Sequence, residues 1–157
     1  MNIKLILVGK TNNNNLEILY NDYLKRLKHY INFDVEIISD LKNTKNLSFD
    51  EIKEKEGNLI LSKINAQDYV VLLDEQGKEI NSINFSENLQ KKMNSGLKSL
   101  VYVVGGAYGF SLEVYNRANE KLSLSKLTFS HQMVRLFFIE QLYRAFTILK
   151  NEPYHHK

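Results

Sequence analysis

The sequence contains no cysteine, which excludes a disulfide framework and a zinc site built from thiolates. This composition agrees with a reducing compartment. Long hydrophobic runs are also missing: the longest apolar stretches have the length of one strand, far below the roughly 20 residues of a membrane-spanning helix. No basic segment followed by an apolar one precedes the first predicted strand. We therefore expect no signal peptide, no membrane partner and a cytoplasmic location.

A strong excess of charge is absent as well. The net charge of +3 and the pI of about 8.9 permit an RNA or phosphate partner without requiring one. The basic residues of the C-terminal third have few acids between them, which a solvated helix face explains in part; they are Lys121, Lys126, Arg135, Arg144 and Lys150. The chain of 157 residues is long enough for one core and short for two, so we expect a single domain over residues 1–157.

Strand and helix patterns alternate along the chain. Short apolar runs predict strands at residues 2–8, 33–38, 69–73, 100–104 and 121–124. Helical spacing, together with a capping box at Ser48 and Glu51, predicts helices at residues 16–30, 48–63, 82–93 and 111–119, and a final helix of about five turns that includes Met133. This order is typical of an α/β domain with a parallel sheet and helices on both faces.

Two glycine-containing segments resemble phosphate-binding motifs, but each segment lacks the first glycine of the motif that it resembles. The run V-G-K-T at residues 8–11 resembles the end of a P-loop, but Lys4 stands where the first glycine of that motif belongs. The run G-G-A-Y-G at residues 105–109 has Val104 at the first glycine position of the dinucleotide fingerprint. Both a nucleotide triphosphatase and a Rossmann dehydrogenase are therefore disfavoured. The zinc-binding H-E-x-x-H motif is absent, so we predict no metal site, and the Ser/His/Asp elbow of hydrolases is absent too.

Two loops in the C-terminal third of the chain remain candidates for ligand binding. Glycines at 105, 106 and 109 allow either close approach of a ligand to the backbone or a tight turn. Residues 122–129 alternate small polar and apolar side chains before a helix N-cap at Thr128 or Ser130. This loop could hold an adenine by main-chain hydrogen bonds, or it could be an edge strand followed by a capped helix. The residues alone leave both alternatives open.

Taken together, these segments resemble the SPOUT-class methyltransferases, and more narrowly the bacterial family that methylates N3 of a pseudouridine in 23S ribosomal RNA. The resemblance extends over nearly the whole chain. Its best-matching segments are Val104-Gly105-Gly106-Ala107-Tyr108-Gly109, Leu122-Ser123-Leu124-Ser125, Thr128-Phe129-Ser130-His131-Gln132-Met133-Val134-Arg135, Glu140-Gln141-Leu142-Tyr143-Arg144-Ala145 and Pro153-Tyr154-His155. One departure is Ser130, where the family usually has proline; a serine can cap the following helix instead.

The resemblance implies a SPOUT fold, in which the C-terminal part of the parallel sheet is tied into a trefoil knot. It also implies an obligate homodimer, S-adenosylmethionine as the cofactor, and 23S ribosomal RNA within the assembled ribosome as the partner. By the same resemblance, the cofactor contacts Leu73, Gly105, Leu124, Ser125, Lys126, Leu127, Thr128 and Phe129. All of these residues except Leu73 belong to the two loops that the sequence pattern already indicates as candidates.

Methylation of an imide nitrogen requires removal of its proton, so a base or an anion-stabilising group should lie near the acceptor. The candidate catalytic residues are His131, Tyr154 and His155, with Arg135 and Arg144 stabilising the anion or holding phosphate. His155 lies in a C-terminal tail that could fold across the pocket of a partner subunit. Two other functions remain open: a SPOUT enzyme acting on another RNA such as transfer RNA, and a non-catalytic module that binds RNA or the ribosome.

Overall fold

A computed structural model of the chain describes residues 1–156. Its strands are β1 (Asn2–Val8), β2 (Asn32–Ile38), β3 (Tyr69–Glu79), β4 (Ser99–Val104) and β5 (Glu120–Ser123). Its α-helices are α1 (Asn14–Leu27), α2 (Phe49–Ser62), α3 (Ser82–Asn94), α4 (Leu112–Arg117) and α5 (His131–Leu149), and a short 3-10 helix covers Thr44–Asn46. Within this part of the chain, no helix is both long and apolar enough to span a membrane.

The strands form a single sheet in the order β2-β1-β4-β3-β5, and every neighbouring pair is parallel. This confirms the predicted α/β class. The central strands β1 and β4 are largely buried on both faces, which explains why most of their residues are apolar. Because all strands are parallel, the loops that follow them meet at one edge of the sheet.

Alternate residues of each strand supply two separate cores. On one face, Leu5, Leu7 and Tyr102 pack with residues of α1, α3 and α5, including Phe138. On the other face, Ile6, Val8, Val101 and Val103 pack with residues of α2 and α4, including Ile60 and Val114. The side-chain period of two along a strand assigns neighbours to opposite faces, so β1 to β4 each contribute to both cores, whereas β5 contributes Leu122 to the first core.

Side-chain caps fix where the helices begin. Ser48 and Glu51 form the predicted capping box at the start of α2: the Ser48 hydroxyl accepts from the Glu51 N–H, and the Glu51 carboxylate accepts from the Ser48 N–H. Ser130 caps α5, since its Oγ accepts from the Met133 N–H at 3.2 Å. A serine therefore does satisfy this helix end.

The third strand differs from its prediction. The pattern predicts a strand ending at Leu73, whereas β3 continues to Glu79. Its pairing with β5 shifts register between Leu73 and Lys78, and both of these residues lie opposite Leu122. Gly77 lies so close to β5 that a Cβ there would be 2.7 Å from the Leu122 nitrogen. The polar residues between the two paired parts therefore bulge out at the edge of the sheet where β4 ends.

Candidate functional site

A cavity of about 390 Å³ lies at the carboxyl ends of β3, β4 and β5. Three loops and the first turn of α5 form its wall. The lining residues are Leu73 to Gln76, Val104 to Phe110, Tyr115, Leu122, Leu124, Ser125, Leu127, Thr128, Phe129, His131 and Val134. Ligands of open parallel α/β sheets bind at this edge, so the cavity is the candidate site.

All predicted cofactor-contacting residues except Lys126 line this cavity. Lys126 is exposed at the tip of a tight turn. The Ser123 hydroxyl donates to the Ser125 carbonyl at 2.9 Å, and the Ser125 hydroxyl accepts from the Leu127 N–H at 2.9 Å. Because of this turn, Leu124, Ser125 and Leu127 line the cavity, whereas Lys126 does not.

The glycine loop after β4 is a tight turn that also faces the cavity. The Gly109 N–H donates to the Gly106 carbonyl at 3.2 Å, and Gly109 has a φ of +85°, a conformation that favours glycine. A Cβ at Gly105 would lie 3.0 Å from the Phe110 ring. The two interpretations of these glycines, a tight turn and a close approach to a ligand, are therefore compatible in one loop.

Two acidic residues, Asp74 and Glu75, form one side of the cavity. They are not among the site residues predicted from the sequence. The Asp74 carboxylate accepts from the Tyr115 hydroxyl at 2.5 Å and from the Gln76 N–H at 2.9 Å, and Glu75 accepts from the Thr128 hydroxyl at 2.8 Å. Burial and the bond to Asp74 raise the pKa of Tyr115, which keeps its phenol neutral and donating. Asp74 and Glu75 give the cavity a negative side that complements a cationic ligand.

His131 is the predicted catalytic residue that lies in the cavity wall. It is exposed and is the first residue of α5, directly after the Ser130 cap. Its position at a helix N-terminus places it beside backbone N–H groups that have no partner within the helix. The side chain can therefore reach a substrate that enters the cavity from solvent.

Arg135, one of the predicted catalytic residues, is fully buried in the protein. Its side chain is 0% exposed and donates to the Val8 carbonyl at 2.6 Å, the Gly9 carbonyl at 2.8 Å and the Thr11 hydroxyl at 3.3 Å. It is not part of the cavity wall. Arg135 therefore ties α5 to the loop after β1, and its catalytic role stays a prediction that these contacts do not support.

The remaining predicted catalytic residues form a cluster at the other end of α5. Arg144 donates to Glu140 at 2.5 Å, and its Nη1 lies 3.3 Å from His155 Nδ1. The Tyr154 hydroxyl donates to the same Glu140 oxygen at 2.9 Å and lies 3.1 Å from the Tyr23 hydroxyl. The C-terminal tail is thus folded against α5 and α1. We call Glu140, Arg144, Tyr154 and His155 the tail cluster.

The tail cluster and the cavity are far apart within one chain. Residues 131 and 144 are separated by 13 positions of one helix, which corresponds to about 20 Å along its axis. Sequence analysis predicts one catalytic set that contains His131, Arg144, Tyr154 and His155. Within one subunit, the fold places His131 far from the other three. They can act at one site only if the tail cluster of one subunit faces the cavity of another.

Glu56 supports the glycine loop from behind. Its side chain is 9% exposed, and its Oε1 is buried with no hydrogen-bond partner among residues 1–156. A Cβ at Gly106 would lie 2.5 Å from this oxygen. Burial, and to a smaller extent the charge of Asp40, raise the pKa of Glu56. The carboxylate is therefore held in an unfavourable environment directly beneath the loop.

We expect Glu56→Gln to stabilise the protein by about 1 kcal/mol at pH 8, because it removes a buried charge without changing the shape. The folded protein holds the Glu56 proton more tightly than the unfolded chain, so the wild type loses stability as pH rises through the raised pKa. The gain should therefore disappear near pH 4. Urea unfolding at both pH values measures it, with the exposed Glu54→Gln as a control; equal gains at both pH values would contradict the prediction.

Comparison with known proteins agrees with this site. A family model described as "Predicted SPOUT methyltransferase" matches residues 1–155. The chain therefore belongs to the SPOUT methyltransferase family: it is an enzyme that uses a methyl donor. Among its relatives, the ribosomal RNA large subunit methyltransferases H of Flavobacterium psychrophilum, Flavobacterium johnsoniae and Parabacteroides distasonis are 67%, 66% and 59% identical to it, each over 100% of both chains.

Proposed function

We propose that this enzyme transfers a methyl group from S-adenosylmethionine to N3 of a pseudouridine in 23S ribosomal RNA, on the assembled ribosome in the cytoplasm. The main support is the cavity, which joins a backbone-rich glycine loop, apolar side chains and two carboxylates at the carboxyl edge of the sheet. The family membership and the names of full-length relatives support the reaction and the RNA substrate.

The residues present suit S-adenosylmethionine. The backbone of the loop after β4 and that of residues 124–129 offer the hydrogen bonds that an adenine needs, between apolar side chains such as Leu73 and Phe129. Asp74 and Glu75 complement the positive charge of the cofactor. When bound, S-adenosylmethionine supplies an activated methyl group; holding it in line with the acceptor nitrogen is the task of these loops.

Removal of the N3 proton is assigned to a histidine. His131 lies in the cavity wall of its own subunit, and His155 Nδ1 accepts from Arg144 in the tail cluster. Because a guanidinium can only donate, His155 carries its proton on Nε2 in this bond, and it can accept the N3 proton at Nδ1 only after Arg144 has released it. Burial, together with its bonds to Tyr23 and Glu140, raises the pKa of Tyr154, so its phenol remains a donor at neutral pH. Tyr154 therefore orients Glu140 or an acceptor oxygen, and Arg144 keeps His155 in place or stabilises the anion.

A homodimer of single-domain subunits completes the site in this proposal, with the knotted C-terminal segment at the interface. Leu127, Met133 and Phe137 are large apolar side chains that remain exposed on α5 and the loop before it. The Phe137 and Phe129 rings lie 5.0 Å apart, which joins this apolar face to the cavity wall. A second subunit covering this face would place its tail cluster near the cavity.

We expect Phe137→Glu to convert the dimer to a monomer, because the charge would be buried in the proposed interface. Analytical ultracentrifugation measures this. Ile37→Glu is the matched control, since Ile37 is 46% exposed, against 37% for Phe137, and lies on β2 at the far side of the sheet. A Phe137→Glu protein that sediments as the wild type does would contradict the proposed interface.

A ribosomal substrate agrees with the charge of the chain. The net charge of +3 provides few contacts to phosphate, so binding to free RNA should be weak and sensitive to salt. The surface of an assembled ribosome can supply the additional contacts. This consideration favours the ribosome over an isolated RNA as the substrate.

Calorimetric titration with S-adenosylmethionine tests the cavity. The wild type should bind it, and Gly105→Val should abolish binding, because a side chain at this position would press on Phe110 and enter the cavity. Ala66→Val, in an exposed loop at the opposite edge of the sheet, is the control and should bind normally. A folded wild type that binds no cofactor, alone or with ribosomes, would refute the proposal.

A further inference from the structure

Two exposed aromatic rings are stacked on each other beside the cavity. The rings of Phe49 and Tyr108 have centroids 4.5 Å apart and an interplanar angle of 19°. Phe49 remains 65% exposed and Tyr108 45% exposed, even though each covers one face of the other. Both side chains therefore present a second aromatic face to solvent.

Each ring of the pair belongs to a different element next to the cavity. Tyr108 belongs to the glycine loop and is part of the cavity wall. Phe49 is the first residue of α2, directly after the Ser48 cap, and lies outside that wall. Glu56, two turns further along α2, supports the same loop at Gly106. The pair thus extends from the cavity wall, at Tyr108 in the glycine loop, to the outer surface, at Phe49 on the first turn of α2.

Core packing does not explain this arrangement. Neither residue belongs to either of the hydrophobic cores. Single exposed apolar side chains are common and need no explanation. Here two large rings contact each other beside the cavity, and both remain exposed.

We propose that Phe49 and Tyr108 form a stacking platform for an unpaired base of the substrate RNA, next to the base that is methylated. This inference rests on the proposed function. N3 lies on the edge of a uracil ring that base pairing uses, so the acceptor must be unpaired, and its neighbours can be unstacked with it. Aromatic side chains bind such bases through their ring faces, with little dependence on sequence.

The platform contributes to RNA binding and not to the methyl-transfer step. Phe49 carries no group that could donate or accept a proton, and it is not part of the cavity wall. Loss of its ring should therefore raise KM for the RNA while kcat and cofactor affinity are retained. Stacking of one base corresponds to about a tenfold change in KM.

Fluorescence provides a direct test, because the chain contains no tryptophan. In Phe49→Trp, the single indole should be quenched when a synthetic RNA stem-loop with a pseudouridine in its loop is added, and not when S-adenosylmethionine is added alone. Ile37→Trp places the indole at a comparably exposed position on β2 and should show no quenching with the same RNA. Absence of quenching in Phe49→Trp at saturating RNA would overturn the proposal.

Kinetics with assembled ribosomes complete the test. Phe49→Ala should raise KM about tenfold and leave kcat unchanged, Phe49→Tyr should behave as the wild type, and Ile37→Ala should have no effect. A raised KM without quenching by RNA would assign the surface to a ribosomal protein and overturn the RNA proposal. A wild type that methylates no RNA would refute the proposed function itself, which separates the two failures.

Discussion

Arg135→Met is expected to lower the free energy of unfolding by about 3 kcal/mol, one of the largest effects of any single change in this protein. Arg135 donates to the Val8 and Gly9 carbonyls from a position that is 0% exposed. Its loss leaves those buried acceptors without this donor and releases the loop after β1 from α5. Burial raises the pKa of the neighbouring Tyr20 to about 12. Tyr20 is therefore a neutral phenol at pH 7 and does not balance the buried charge of Arg135.

Urea unfolding at a fixed protein concentration measures this loss, since dimerisation would otherwise change the apparent stability. Arg26→Met is the matched control, because Arg26 pairs with Asp22 on the surface of α1 and should contribute less than about 1 kcal/mol. If Arg135→Met retained the stability of the wild type and instead lost kcat, the residue would be catalytic and its assignment as a structural anchor would be wrong.

Two inactive variants are expected to restore activity when they share a dimer. His155→Ala should lower kcat by about a hundredfold or more, because it removes the candidate base of the tail cluster while the cofactor cavity remains intact. Gly105→Val should lose cofactor binding while its tail cluster remains intact. In a mixed dimer, the cavity of the His155→Ala subunit would face the intact tail of the other subunit. One of the two sites would then be complete.

The expected activity of the mixed dimer is about half that of the wild type, compared with near-zero activity for either variant alone. Subunits with different affinity tags, co-expressed and purified through both tags, supply the sample. A mixed dimer of two wild-type subunits is the control for the tags. If the mixed variant dimer is as inactive as its parents, the proposal that the cavity of one subunit and the tail cluster of the other form one site would be wrong.

Most of the fold could be predicted from the sequence because most helices and strands have a recognisable local sequence pattern. The capping box at Ser48 and Glu51 marks the start of α2, and the apolar runs of the central strands mark a parallel sheet buried on both faces. The second part of β3 was not accessible, because its polar residues resemble a turn. That part becomes a strand only through pairing with β5, on which Gly77 packs directly.

The candidate site was accessible in part for a similar reason. Glycines and capping residues mark loops that face a ligand, whereas nothing local distinguishes Asp74 from an ordinary residue after a strand. Its role depends on Tyr115, 41 positions away, which donates to its carboxylate. Arg135 likewise shares a helix with His131 and Arg144, and the sequence gives no sign that it points into the core toward Val8 and Gly9.

The most direct test of the proposed function is methyl transfer from isotopically labelled S-adenosylmethionine to ribosomes that carry the pseudouridine without its methyl group. We predict that the label enters 23S ribosomal RNA at one position and that reverse transcription stops there, because N3 lies on the pairing edge of the base. Ribosomes with uridine in place of that pseudouridine should accept less label. Label found in transfer RNA alone, or in no RNA, would contradict the proposed function.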